Sequence, residues 1–205
     1  MKPSFLLTFE ILGLLAGVVI IVLGIFPLPV LPLFLVGWAS LRLRHIRWRD
    51  VGLKRPDKWL PTIGLALLIG IGYQVLDTIA ISPLLQSLTG KSIDLSQFSF
   101  LKGSLPALLF FFIITWTEAA FLEELFFRGY FFNRLTDFTG NGRVGIAISL
   151  IVSALLFGAG HAYQGITGVL DTFLAGLVLG LLYLFARRNL WLPILTHGLL
   201  TPSAF

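Results

Sequence analysis

Residues 105–135 read LPALLFFFIITWTEAAFLEELFFRGYFFNRL, and this stretch decides what kind of chain it belongs to. From Leu105 to Leu122 it carries a single charge, Glu118. A helix rises 1.5 Å per residue, so about 20 apolar residues carry it through the hydrocarbon core of a bilayer. The second half then sets Glu123, Glu124 and Arg128 in a segment where lipid makes every charge expensive. The rest of the chain has the same character. Of 205 residues, 57% are hydrophobic and 12% charged, and the mean hydropathy is +0.93. A soluble domain has roughly a quarter of its residues charged. The expected fold is therefore all-α, a polytopic transmembrane helix bundle whose surface faces lipid.

Working outward, further apolar runs cover 5–26, 28–41, 60–81, 144–161, 166–186 and 190–205. With 105–126 they predict about seven spans, with six and eight left open. The run 28–41 is short and contains Pro29 and Pro32, so it is expected to be tilted or re-entrant. The first run is expected to stay as an anchor. It is longer than the roughly 7–15 apolar residues of a signal peptide, and no small-residue cleavage site follows it.

The basic residues set an orientation. Segment 42–58, RLRHIRWRDVGLKRPDK, carries seven of the fifteen Lys and Arg. Arg128, Arg134 and Arg143 follow the fourth run, and Arg187 and Arg188 follow the sixth. Alternating spans put all of these on one side with Lys2, leaving Lys91 and Lys102 on the other. That asymmetry predicts an integral protein of a prokaryotic cell membrane with a cytoplasmic N-terminus. The net charge of +5 is thus spread over interfacial loops. With Trp48 and Trp59 among its basic residues, 42–58 points to membrane lipids as a partner and not to nucleic acid. The chain has no cysteine, which excludes disulfides, thiolate metal ligands and a cysteine nucleophile. No internal repeat or low-complexity tract is present, and no appended soluble domain is expected. Gly13–Gly17 and Gly176–Gly180 are G-x-x-x-G pairs, expected to serve close helix packing.

Ionisable groups within membrane segments are the functional candidates. Glu124 and Arg128 stand at i and i+4 with the Glu N-terminal, the better order for an ion pair. Glu123 lies about 100° around the helix from Glu124 and is expected to face a different neighbour. The division this predicts is an ion pair that fixes the helix and one carboxylate left for chemistry. His161 ends the fifth run, one turn after Phe157, and His197 lies in the last run, one turn before Thr201. His45 sits in the basic loop as an interfacial charge. A carboxylate with two imidazoles suffices to activate a water, directly or on a metal.

Three ordered motifs carry a resemblance. Glu123-Glu124-Leu125-Phe126-Phe127-Arg128 matches E-E-x-x-x-R, Phe157-Gly158-Ala159-Gly160-His161 matches F-x-x-x-H, and Trp191 to His197 forms W-x-P-I-x-x-H. Over about residues 50–201 the chain resembles the CPBP (Abi) family of intramembrane proteases, which includes the CAAX prenyl endopeptidases. The resemblance implies two anchor helices in 1–45 and a CPBP-like protease core in 46–205. It implies Glu123 as the general base toward water, His161 as a holder of that water and His197 as a stabiliser of the oxyanion. Glu124, Arg128 and Phe157 would be structural support. The family usually has Asn or Asp four residues after the last histidine, and this chain has Thr201 there. Thr201 would then supply the corresponding donor as a hydroxyl.

Helix arithmetic raises a difficulty. Glu123, His161 and His197 come out at roughly 18, 26 and 11 Å from the basic ends of their runs, so the depths do not coincide. Other intramembrane protease chemistries lack their motifs. The Gly90-Lys91-Ser92 triplet stands in a loop, with Leu85 where a phosphate-binding loop needs glycine. No G-x-G-D and no H-E-x-x-H occurs. Glu123, His161 and His197 could ligate zinc with one position open, or Glu123 could act without metal. The expectation is no tightly bound cofactor, with zinc as the alternative. Two function classes follow: an endopeptidase acting on a hydrophobic or lipidated peptide, and a non-catalytic membrane scaffold that keeps the protease fold. The oligomeric state is not legible.

Overall fold

The structure is a computed structural model that describes residues 3–22 and 30–200. It is all-helical, with no strand among the described residues. The helical rods are α1 (Pro3–Val22), α2 (Val30–Leu43), α3 (Trp59–Thr89), α4 (Leu105–Thr139), α5 (Arg143–Ala159), α6 (Gly165–Phe185) and α7 (Trp191–His197). Three are long and apolar enough to cross a membrane: α3, α4 and α6 together with its preceding turn, Ala162–Phe185. α1, α2 and α5 contain shorter apolar helices. The chain is an integral membrane protein by this composition. At seven residues α7 is far too short to span, and it stands inside the bundle.

Each rod starts and stops for local reasons. α2 places Pro32 in its first turn, where the missing N–H has no helical acceptor to lose; Pro29 lies outside the described residues. The free Val30 N–H at that end donates to Glu118 Oε1 at 3.2 Å, so Glu118 caps a neighbouring helix. α3 is interrupted by a π-helical turn at Asp77–Ile81. α4 is π-helical over Thr115–Glu123 and Leu125–Phe132, an unusual length for a form that recurs at functional sites.

α4 also changes environment along its length. Phe110, Phe112 and Ile113 are exposed on the outside of the bundle, whereas Leu125 to Tyr130 are all buried. Phe126, Phe127 and Tyr130 form a core with Leu33, Leu41, Val51 and Phe157, and Leu125 and Phe132 form another with Tyr183, Leu190 and Ile194. Both G-x-x-x-G pairs lie at helix crossings. Gly13 and Gly17 face Val36 and Leu33 of α2, and Gly176 and Gly180 face Ala154 and Leu150 of α5.

The basic segments gather at one end. Glu10 of α1 accepts from Ser40, from Arg44 at 2.9 Å and from Arg134 at 3.1 Å, which ties α1 and α2 to α4. Arg188 donates to Asn133 and Asn141, and Tyr183 Oη donates to the Val51 carbonyl at 2.9 Å. Gly52, at φ 113°, turns its carbonyl toward the Leu190 N–H at 3.0 Å. A Cβ there would collide with the Arg188 carbonyl, so this joint between the basic loop and α7 requires glycine. Lys91 lies at the opposite end, where its carbonyl accepts from Thr167.

Candidate active site

The site forms where α4, α5 and α7 meet. The Glu124 carboxylate is fully buried and its Oε1 accepts two bonds, from Arg128 Nη1 at 2.6 Å and from His197 Nδ1 at 2.8 Å. Arg128, also buried, sends Nη2 to the Gly176 carbonyl at 2.9 Å. Its guanidinium lies 4.6 Å from the centre of the Phe157 ring. Phe157 therefore meets a cation on one side and both imidazoles on others, with ring centres 5.2 Å from His161 and 5.6 Å from His197.

Glu123 points elsewhere than Glu124. Its Oε2 stands 3.9 Å from His197 Nε2, and it has no hydrogen-bond partner among the described residues. His161 has left the helix and stands in the turn after α5, with Nδ1 2.9 Å from the Phe157 carbonyl. A carbonyl can only accept, so Nδ1 carries the proton and the neutral ring keeps Nε2 as an acceptor. The same argument gives His197 an Nδ1–H toward Glu124, which turns its Nε2 toward Glu123.

The depth mismatch has a structural answer. α4 runs to Thr139, four residues beyond Leu135, which deepens Glu123 relative to that end. Phe127 and Phe157 pack with ring centres 5.0 Å apart, so Glu123 and His161, each one turn further along, come level. α7 begins at the joint where the Gly52 carbonyl of the basic loop receives the Leu190 N–H. Leu190 packs against Gly129, about ten residues inward along α4, and α7 has only to reach Glu124 from there. α5 starts at Arg143, one residue before the apolar run it carries.

His161, His197, Phe157 and Gly198 line a cavity of about 410 Å³ between α3, α4, α6 and α7. Trp116 packs against Gly198, where a Cβ would lie 2.6 Å from the indole. Regular helix ends at His197, followed by tighter i→i+3 turns through Leu200. Thr201 lies outside the described residues. Among the described residues no group of three or more Asp, Glu or His side chains is gathered as a metal ligand set.

Sequence reasoning missed two features. It did not foresee that Glu124 holds His197 as well as Arg128, because contacts between distant segments leave no trace in spacing. It also passed over Asp77 and Asp171, which line the same cavity from α3 and α6. Their position inside otherwise apolar runs was the available signal.

A buried carboxylate–guanidinium pair holding one imidazole, beside a free carboxylate and a second imidazole, is a membrane site equipped for acid–base work on water. Residues 105–201, just under half of the chain, match the family model described as Rce1-like: Type II CAAX prenyl endopeptidase Rce1-like. This is the family the three motifs pointed to, and the likeness is to residues 105–201; the matched stretch begins later than the resemblance read from about residue 50. Comparison with curated proteins and with solved structures gives no match.

Proposed function

We propose that the chain is an intramembrane endopeptidase that hydrolyses a peptide bond of a membrane-embedded or lipidated substrate with a water activated by Glu123. The observation that carries this reading is the unequal placement of the two adjacent glutamates. Glu124 accepts from Arg128 and His197 through Oε1, its Oε2 being unpartnered, while Glu123 makes no hydrogen bond among the described residues and sets its Oε2 3.9 Å from His197 Nε2. The family match supports a membrane protease.

In this mechanism a water donates one hydrogen bond to Glu123 and another to His161 Nε2. As its oxygen attacks the carbonyl carbon, Glu123 takes the proton. The carbonyl oxygen becomes an oxyanion, stabilised by His197 and by the Thr201 hydroxyl. Glu123 then passes the proton to the amide nitrogen as the C–N bond breaks, which leaves a carboxylate and an amine. Phe157, Arg128 and Glu124 hold the two imidazoles. No tightly bound metal takes part, membrane lipids surround the bundle, and the basic end faces the cytoplasm. The direct experiment compares membrane proteomes of cells carrying the wild type and Glu123→Ala. Fragments made only by the wild type are expected; their complete absence would overturn the proposal.

One observation favours a second reading. Thr201 replaces the amide or carboxylate usual in the family, which fits a scaffold that keeps the fold and binds a hydrophobic partner without cleaving it. That reading requires identical proteomes from wild type and Glu123→Ala.

A further inference from the structure

The cavity lined by His161 and His197 has a second polar wall that the proposed chemistry does not use. Asp77, at the start of the π-helical turn of α3, is 5% exposed, and Asp171 faces it from α6. The two carboxyls interact directly, and the Tyr73 hydroxyl stands within their field. Asp77 Oδ1, Asp171 Oδ1 and Tyr73 Oη are all buried without a hydrogen-bond partner. The cavity lining contains no Lys or Arg among the described residues.

Two carboxyl groups lining one cavity disfavour each other's charge and together favour a cation between them. Elsewhere the buried Arg128 is matched by Glu124, and Glu10 by Arg44 and Arg134. At Asp77 and Asp171 no Lys or Arg of the described residues lines the cavity, and the free acceptors face an open space. An unpaired charge at this depth is costly unless a ligand completes it. The aromatic rings of Phe111 and Tyr163 line the same space and suit the apolar stem of a Lys or Arg side chain.

We propose that Asp77 and Asp171, with the Tyr73 hydroxyl, form a subsite that receives the ammonium or guanidinium group of a substrate side chain beside the reacting bond. Resting on the protease reading, this assigns the enzyme substrates that bring a Lys or Arg into the membrane next to an apolar segment. The subsite accounts for three unpaired polar atoms at once.

The test reads binding, not cleavage, so its outcome is separate from that of the protease reading. Purified protein in an uncharged maltoside detergent is titrated with dodecylamine and with dodecanol, and thermal protection is followed. Dodecylamine is expected to protect the wild type at a concentration about tenfold lower or better, as charge-assisted hydrogen bonds require. Asp77→Asn/Asp171→Asn should bring that ratio to about one, and Glu123→Gln should leave it unchanged. If the double variant does not fold, each single variant is expected to reduce the ratio. A wild-type ratio near one overturns the proposal. So does a preference that survives loss of both aspartates, or one abolished by Glu123→Gln alone.

Discussion

His197 and Glu124 are 73 positions apart in sequence, and their side chains meet at 2.8 Å on a carboxylate oxygen that also receives Arg128. The contact makes Glu124 more than the partner of an arginine one turn away. It fixes which nitrogen of His197 carries the proton and which one faces Glu123.

The adjacent glutamates should therefore fail differently. Glu123→Gln is expected to give a folded protein without activity, since it removes an unpaired carboxylate. Glu124→Gln leaves Arg128 buried without its counter-charge, a loss of typically about 3–5 kcal/mol, and frees the His197 ring to rotate. Melting temperatures in detergent and cleavage assays on both variants check this. Equal stability with equal catalytic loss would refute the division.

Phe157 should be more than a spacer in its motif. Phe157→Leu keeps the carbonyl that holds His161 and most of the apolar volume, but removes the ring facing Arg128. A cost of about 2 kcal/mol is expected from a desolvated cation–π contact. Phe157→Tyr should retain most of that stability, and a parallel melting series would separate the two.

Thr201 is where the chain departs from the pattern of the family it resembles, and its chemistry gives a signed expectation. An amide reaches further than a hydroxyl, and losing one oxyanion donor costs about a hundredfold or more in rate. Thr201→Asn should raise turnover and Thr201→Val lower it, with unchanged melting curves. Wild-type rates in both variants would reduce Thr201 to a hydroxyl bonded to its own backbone.

Elemental analysis of the purified protein is expected to find zinc well below one per chain, with activity that survives chelators. A stoichiometric zinc that vanishes in His161→Ala would reverse this, because a closed site holds its metal through each ligand.

Orientation is accessible by labelling. A cysteine at Lys54 should resist an impermeant thiol reagent applied to intact cells, and one at Lys91 should react. The opposite pattern would place the basic end outside.

The helical class and the Glu124–Arg128 pair were legible because both are local: a run of apolar residues, and a spacing of four on one helix. The unequal directions of Glu123 and Glu124 followed from the same geometry. What the sequence could not give was the level of each element. That depended on α4 running to Thr139, on its π-helical turns, and on Leu190 docking against Gly129. The span count stayed open for a related reason. Apolarity marks α7 as a membrane segment, but only tertiary packing reveals a seven-residue helix hung inside the bundle from the Gly52 carbonyl. Asp77 and Asp171 escaped notice because 94 positions of chain separate two carboxyls that meet only in the folded cavity.

The joint between Gly52 and Leu190 also orders events during synthesis. α7 is too short to insert by its own hydrophobicity, so it must be received by helices already in place. The ribosome makes Glu123 and His161 well before His197. Until the last segment docks, Glu124 has only Arg128 to hold, and the nitrogen that faces Glu123 is absent. A growing chain thus passes through the insertion machinery with this site incomplete, and the site is assembled only once the bundle around it has closed.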